Sequence, residues 1–145
     1  MRNKTAKWVA LYGMLISLAF IFSYIGLYTV GISGTIAVSL VRIVLVGFTF
    51  GNLSSMIYSL AGGTVSLILM ILLKKTGKFS QIGVSIIGGI GHNIGQLTAA
   101  VLITETAGVF YYLPFLIVAG VIAGAVIGLL GGMVTDRIQN VVKWL

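Results

Sequence analysis

Five long apolar runs, separated only by short polar or glycine-containing joints, make up most of the chain: residues 8–30, 32–50, 53–73, 82–103 and 112–134. Each is close to the roughly 20 residues that cross a bilayer as a helix. The apolar positions are continuous and filled with Leu, Ile, Val, Ala and Gly, unlike the roughly 10-residue alternating segments of a membrane barrel. This pattern predicts an all-α fold, a polytopic integral membrane bundle forming one domain over residues 1–145. The first run follows Arg2, Lys4 and Lys7 and opens at Trp8. A secretory signal begins the same way, but no small-x-small cleavage site closes this run, and the remainder of the chain is equally apolar. It reads as a first span with an interfacial tryptophan.

Composition agrees: 59% of the residues are hydrophobic and 8% charged, against about 25% charged in soluble domains. Nine Lys and Arg against two acids leave a formal charge of +7, a bias that belongs at membrane edges and is no signal for nucleic acid. With no cysteine, disulfides, iron–sulfur clusters, thiolate nucleophiles and thiolate zinc sites are all excluded. The partner the composition implies is the lipid bilayer.

Charge placement sets a puzzle. Lys74, Lys75 and Lys78 follow the third run, Arg137 and Lys143 follow the fifth, and basic clusters favour the cytoplasm. Two crossings separate these clusters, so they agree and place Lys74 to Lys78 and the C-terminus in the cytoplasm. Three crossings separate Lys74 from the basic N-terminus, which falls on the other face. Joints are short in the same region: Gly31 alone parts the first two runs, and Gly51 with Asn52 the next two, where helical hairpins use about 2 to 8 residues. Three explanations fit: a helix absent relative to kindred chains, a re-entrant or broken first segment, or insertion in both orientations.

Glycine, 20 in 145 residues, marks the helix-packing positions. Gly120, Gly124 and Gly128 recur every fourth residue beside Ala119, Ala123 and Ala125, making a smooth face that another backbone can approach closely. Gly62, Gly63, Gly88, Gly89, Gly91 and Gly95 are further packing candidates. Pro114, the only proline, follows Tyr111 and Tyr112 at the start of the last run, where a first-turn proline forfeits no helical hydrogen bond.

Ionisable and polar groups within the runs carry the functional candidates, because hydrocarbon penalises each of them. Arg42 lies among Leu40, Val41, Ile43 and Val44, and an arginine at that depth costs at least about 2.5 kcal/mol on insertion scales. Its planar fork suits a carboxylate or phosphate; a buried arginine satisfied by neighbouring polar groups is the plainer reading. In Gly88-Gly89-Ile90-Gly91-His92-Asn93-Ile94-Gly95-Gln96, His92 and Gln96 are four apart, with Ser85 and Gly88 near the same stripe and Asn93 beside it. Such a helix suits a small polar ligand held against exposed backbone, or local unwinding at mid-membrane; interhelical hydrogen bonding is the plainer alternative. Asn52 and Tyr58 complete the ligand-binding candidates, on a polar stretch expected to pack against the helix of Arg42. Catalytic residues, cofactors and metal are expected to be none: a single His without Cys falls short of three metal ligands, and Glu105 and Asp136 fall at span ends, where cap or solvated roles prevail.

The strings Gly91-His92-Asn93-Ile94-Gly95-Gln96-Leu97, Tyr58-Ser59-Leu60-Ala61-Gly62-Gly63, Leu40-Val41-Arg42-Ile43-Val44-Leu45 and Tyr111-Tyr112-Leu113-Pro114 resemble those of the Gx transporter family, also named heptaprenyl diphosphate synthase component I. The resemblance covers about residues 5–137 and implies a six-helix membrane fold similar to the substrate-binding S components of energy-coupling-factor vitamin transporters. It implies as partner an energy-coupling transmembrane protein with ATPases, or, following the synthase name, a soluble prenyl synthase. Relative to that pattern a loop and a second span are missing between Tyr24-Ile25-Gly26 and Leu27-Tyr28-Thr29-Val30-Gly31, an absence that would resolve both the charge parity and the short joints. Two acids in the whole chain do not supply the aspartate clusters that hold Mg²⁺ and diphosphate in a prenyl synthase. The expected function is therefore a non-enzymatic transporter-like or substrate-binding subunit for a small, anionic ligand. The alternative is an accessory component of heptaprenyl diphosphate synthesis that docks the synthase or holds its lipid product.

Overall fold

The computed structural model describes residues 25–29, 31–50 and 53–142. The N-terminal basic residues, Trp8, most of the first apolar run, Asn52 and Lys143 lie outside them. Helix α1 runs Gly31–Phe50, α2 Leu53–Thr76, α3 Gln81–Thr104 and α4 Leu113–Val142, with a 3-10 turn, η1, at Ala107–Tyr112. The fold is an all-helical bundle; α2, α3 and the η1–α4 unit are each long and apolar enough to cross a membrane. The protein is a membrane protein by this measure.

Local chemistry places the helix ends. Residues 25–29 are helical, and the chain breaks before α1 at Gly31, whose φ of +87° is one that side chains rarely adopt. Gly77, at φ +66°, ends α2 and returns its N–H to the Lys74 carbonyl at 3.2 Å. Ser80 then caps α3, its hydroxyl accepting from the Gly83 N–H at 3.1 Å. At the far end of α3, Glu105 takes the left-handed C-cap conformation, with φ 52°. Pro114 is the second residue of α4, in the first turn, where its missing N–H costs nothing.

Two features of the helices differ from the sequence pattern. α4 continues past the apolar run that ends at residue 134 and takes Asp136 and Arg137 into its last turns, because residues 133–142 contain neither Gly nor Pro to stop a helix. The glycine-rich centre of α3 is also unbroken over Gln81–Thr104, so the expectation of mid-membrane unwinding does not hold. Its glycines meet neighbouring helices, which replaces the exposed backbone that would have favoured unwinding.

Packing runs α1–α2–α3–α4, each pair antiparallel, with α3 between α2 and α4. Along the α2–α3 seam Gly62 faces His92 and Gln96, and further along Met70 covers Gly88. Along the α3–α4 seam Gly89 meets Gly120, and Ile82 and Ser85 meet Gly128. A Cβ on Gly124 would lie 2.6 Å from the Ile86 Cα, and one on Gly89 2.5 Å from the Gly120 carbonyl oxygen. Backbone-to-backbone approach on this scale is what small residues allow in lipid, where van der Waals contact between helices replaces the hydrophobic drive of water. α1 rests on α2 through Ile43 against Gly63 and Met56 against Gly47. Its outer positions, among them Ile36, Leu40, Val44 and Phe48, are exposed, as lipid-facing residues should be.

Lys74 ties the helical segment 25–29, which precedes α1, to the end of α2. Its ammonium donates to the Leu27 carbonyl and stands 4.5 Å from the centre of the Tyr28 ring. Gly132 of α4 lies at the level of Gln81, so Lys74, Lys75, Lys78 and Arg137 gather at one end of the bundle, and Glu105 with Tyr111 and Tyr112 at the other.

Candidate ligand site at mid-span

Three helices bring polar groups to one depth. Arg42 is near the centre of α1, Gly62 and Gly63 are at the centre of α2, and His92 is at the centre of α3. The two adjacent glycines turn to different neighbours, as consecutive helical residues must. On one side a Cβ at Gly63 would stand 4.0 Å from the Arg42 guanidinium; on the other a Cβ at Gly62 would lie 2.6 Å from Gln96 Cγ and 3.0 Å from His92 Nδ1. Arg42 and His92 are near enough for the guanidinium charge to act on the imidazole. At position 62 only glycine leaves room for this approach, whereas a Cβ at 63 would make ordinary contact with Ile43 and Arg42.

Burial divides the group. His92 is 8% exposed, while Arg42, Gln96 and Tyr58 are half-buried. Tyr58 precedes Gly62 by one turn, on the same stripe of α2. Arg42 and His92 both have polar or electrostatic partners within the protein, which a ligand would have to exchange. A half-buried guanidinium beside a buried imidazole and a carboxamide can receive an anion: five fixed donors, a ring donor or acceptor and an amide, in a region of low dielectric. Among the described residues no three His, Asp or Glu side chains come together.

Asn93 does not join this group. Its Nδ2 donates to the Leu116 carbonyl of α4 at 2.6 Å, and it lines Gly120. One residue from His92 is about 100° around a helix, which sends Asn93 to the α4 seam. Ser85, also read as part of the His92 stripe, faces Gly124 and Gly128 of α4 instead. Asn52 lies outside the described residues. Of the packing candidates, Gly62, Gly88, Gly91 and Gly95 lie on the α2–α3 seam, Gly89, Gly120, Gly124 and Gly128 on the α3–α4 seam, and Gly63 against α1.

Sequence reasoning missed Met70 and Leu69, which fill the space over Gly88 and Gly91, because apolar residues in an apolar run give no signal of partnership. It also missed the Lys74 tether, for which the neighbouring Tyr28 at a helix end was a usable clue.

Residues 7–134 match the family model described as heptaprenyl diphosphate synthase component I. The chain belongs to this family. No curated protein and no solved structure matches it. The match covers α1, α2 and α3, α4 as far as Val134, and every candidate site residue, and the family's name is that of a synthase component. The protein is accordingly a membrane-associated component of a family named for heptaprenyl diphosphate synthesis.

Proposed function

We propose that the protein is a ligand-binding membrane subunit without catalytic chemistry of its own, which receives a small anionic ligand at Arg42 with His92, Gln96 and Tyr58 around it. The observation that carries this reading is the convergence of Arg42 and His92 on the Gly62–Gly63 pair at mid-depth. Ionisable groups held at this depth are costly, so a bundle that retains them generally uses them. Asn93, committed to Leu116, serves the bundle rather than the ligand. On this reading the subunit resembles an S component, resides in the cell membrane with the lysine end in the cytoplasm, and relies on a separate coupling protein with ATPases for active transport.

The family's name favours a second reading. Here the bundle is the membrane accessory of a soluble prenyl synthase, and Arg42 receives the diphosphate of its lipid product while the apolar helices accompany the tail.

Gentle-detergent purification from native membranes, with protein and small-molecule mass spectrometry on one eluate, separates the two. A coupling protein with ATPases and a water-soluble anion are the expected finds; a prenyl synthase or prenyl diphosphate would instead establish the second reading. In either case Arg42→Lys, which keeps the charge and loses the fork, should reduce the retained anion by about tenfold, the loss of a bidentate contact worth roughly 1.5 kcal/mol. Full retention in that variant would refute the bidentate role.

A further inference from the structure

The side of α2 turned away from the bundle is one unbroken stripe. Gly62 meets α3 and Gly63 meets α1, and Ile68, at about 100° per residue, falls on the far side of the helix from both. Ile57, Leu60, Ile68 and Leu72, at helical spacing, are 45%, 46%, 53% and 57% exposed. Thr64, between them, is exposed as well. Its hydroxyl donates to the Leu60 carbonyl at 2.8 Å, so the one polar group of the stripe is satisfied within its own helix, as hydrocarbon requires. The stripe lies in the candidate span Leu53–Thr76 and ends at Lys75. From Ile57 to Lys75 the helix rises about 27 Å at 1.5 Å per residue, close to the roughly 30 Å of a hydrocarbon core. A lysine stem of that position carries its ammonium to headgroup depth. Lys78 and Phe79 are exposed on the turn that follows, and an aromatic side chain there belongs to the same interface.

We propose that this end of α2, with its turn, is a binding site for an anionic phospholipid. An acyl chain lies along Ile68 and Leu72, and the headgroup phosphate is held by Lys75 and Lys78. Charge complementarity selects the occupant. The chain has two acids: Glu105 is at the other end of the bundle, and Asp136 belongs to α4, which packs on the opposite side of α3 from α2. Lys74 is engaged by the Leu27 carbonyl and the Tyr28 ring, which leaves the neighbouring Lys75 and Lys78 to face an anion from outside the protein. A lipid without net charge would cover the stripe but leave both cations uncompensated. A free phosphate would meet the cations but leave the stripe out, and salt screens two lysines in water. The site involves neither Arg42 nor His92.

The test uses the full chain in nanodiscs holding equal amounts of phosphatidylglycerol and phosphatidylcholine with matched chains, and native mass spectrometry of the lipid it retains. The parent should retain phosphatidylglycerol in preference. Lys75→Gln and Lys78→Gln should each lower that preference about fivefold, while Lys75→Arg keeps it and Arg137→Gln, on α4, leaves it unchanged. Both lysines are exposed, so each variant should melt with the parent. A phosphatidylglycerol with a photoreactive acyl chain should label the peptide that holds Ile68 and Leu72 in the parent, a result that needs no variant. Inorganic phosphate at constant ionic strength should not displace it. Equal retention of the two lipids, a loss with Arg137→Gln as large as with the lysine variants, or labelling spread evenly over α1 and α4 would overturn the proposal. So would displacement by phosphate, which would mark a site for a free anion.

Discussion

Glycine at one position and asparagine at another do different work in the same helix, and each can be tested alone. Gly95→Ala would put a Cβ 2.9 Å from the Gly62 Cα and 3.0 Å from the Ala61 carbonyl oxygen. Backbone of α2 cannot yield cheaply, so the variant should lose about 1–3 kcal/mol. Gly108→Ala, whose nearest neighbour would be the Thr106 methyl at 3.9 Å, should leave thermal unfolding in detergent unchanged. Equal melting temperatures for the two variants would contradict the seam geometry. Asn93→Ala removes the donor to Leu116, and interhelical hydrogen bonds in lipid contribute about 0.6 to 1.7 kcal/mol. That variant should melt earlier yet retain ligand like the parent; loss of ligand with unchanged melting would return Asn93 to the site. Both expectations were only half legible in the sequence: the glycine spacing announced close packing, but not which neighbour each glycine meets. Asn93 and His92 are adjacent in the chain, and only the rotation of α3 between two partners parts them.

For an element, the question is what stops and starts it. The turn between α2 and α3 is built by Gly77 in the left-handed region and by the Ser80 cap. Ser80→Ala leaves the Gly83 N–H without its acceptor and should lower stability by about 0.5–2 kcal/mol, read as an earlier denaturation midpoint. An unaltered midpoint would mean that water or lipid headgroups replace the hydroxyl. The apolar runs anticipated α2 and α3 to within a few residues, because hydrocarbon thickness and helical rise together leave little freedom in length. α4 was underestimated, since hydropathy marks where a helix leaves lipid and not where its hydrogen bonds end.

For the whole molecule, the antiparallel order α1 to α4 fixes which loops share a side. A protein with no native cysteine allows this to be read directly by single substitutions. Cysteines at Ser80 and Arg137 should react with a membrane-impermeant thiol reagent from one side, and a cysteine at Thr106 from the other. Labelling of all three from both sides in one population would instead indicate insertion in two orientations.

By itself the sequence determined that this is a helical membrane protein, which segments are apolar enough to be candidate spans, where small residues let helices touch, and which few polar groups fall within the apolar runs. These follow from composition, length and period, which are properties of a segment taken alone. Tertiary structure decided which groups meet. Arg42 and His92 are fifty residues apart in the chain, and they come to one level only because α2 presents the consecutive Gly62 and Gly63, about 100° apart around the helix, to α3 and to α1 at mid-span. Chain spacing specifies the direction of a side chain on its own helix, whereas the choice of neighbour depends on how closely whole helices can approach.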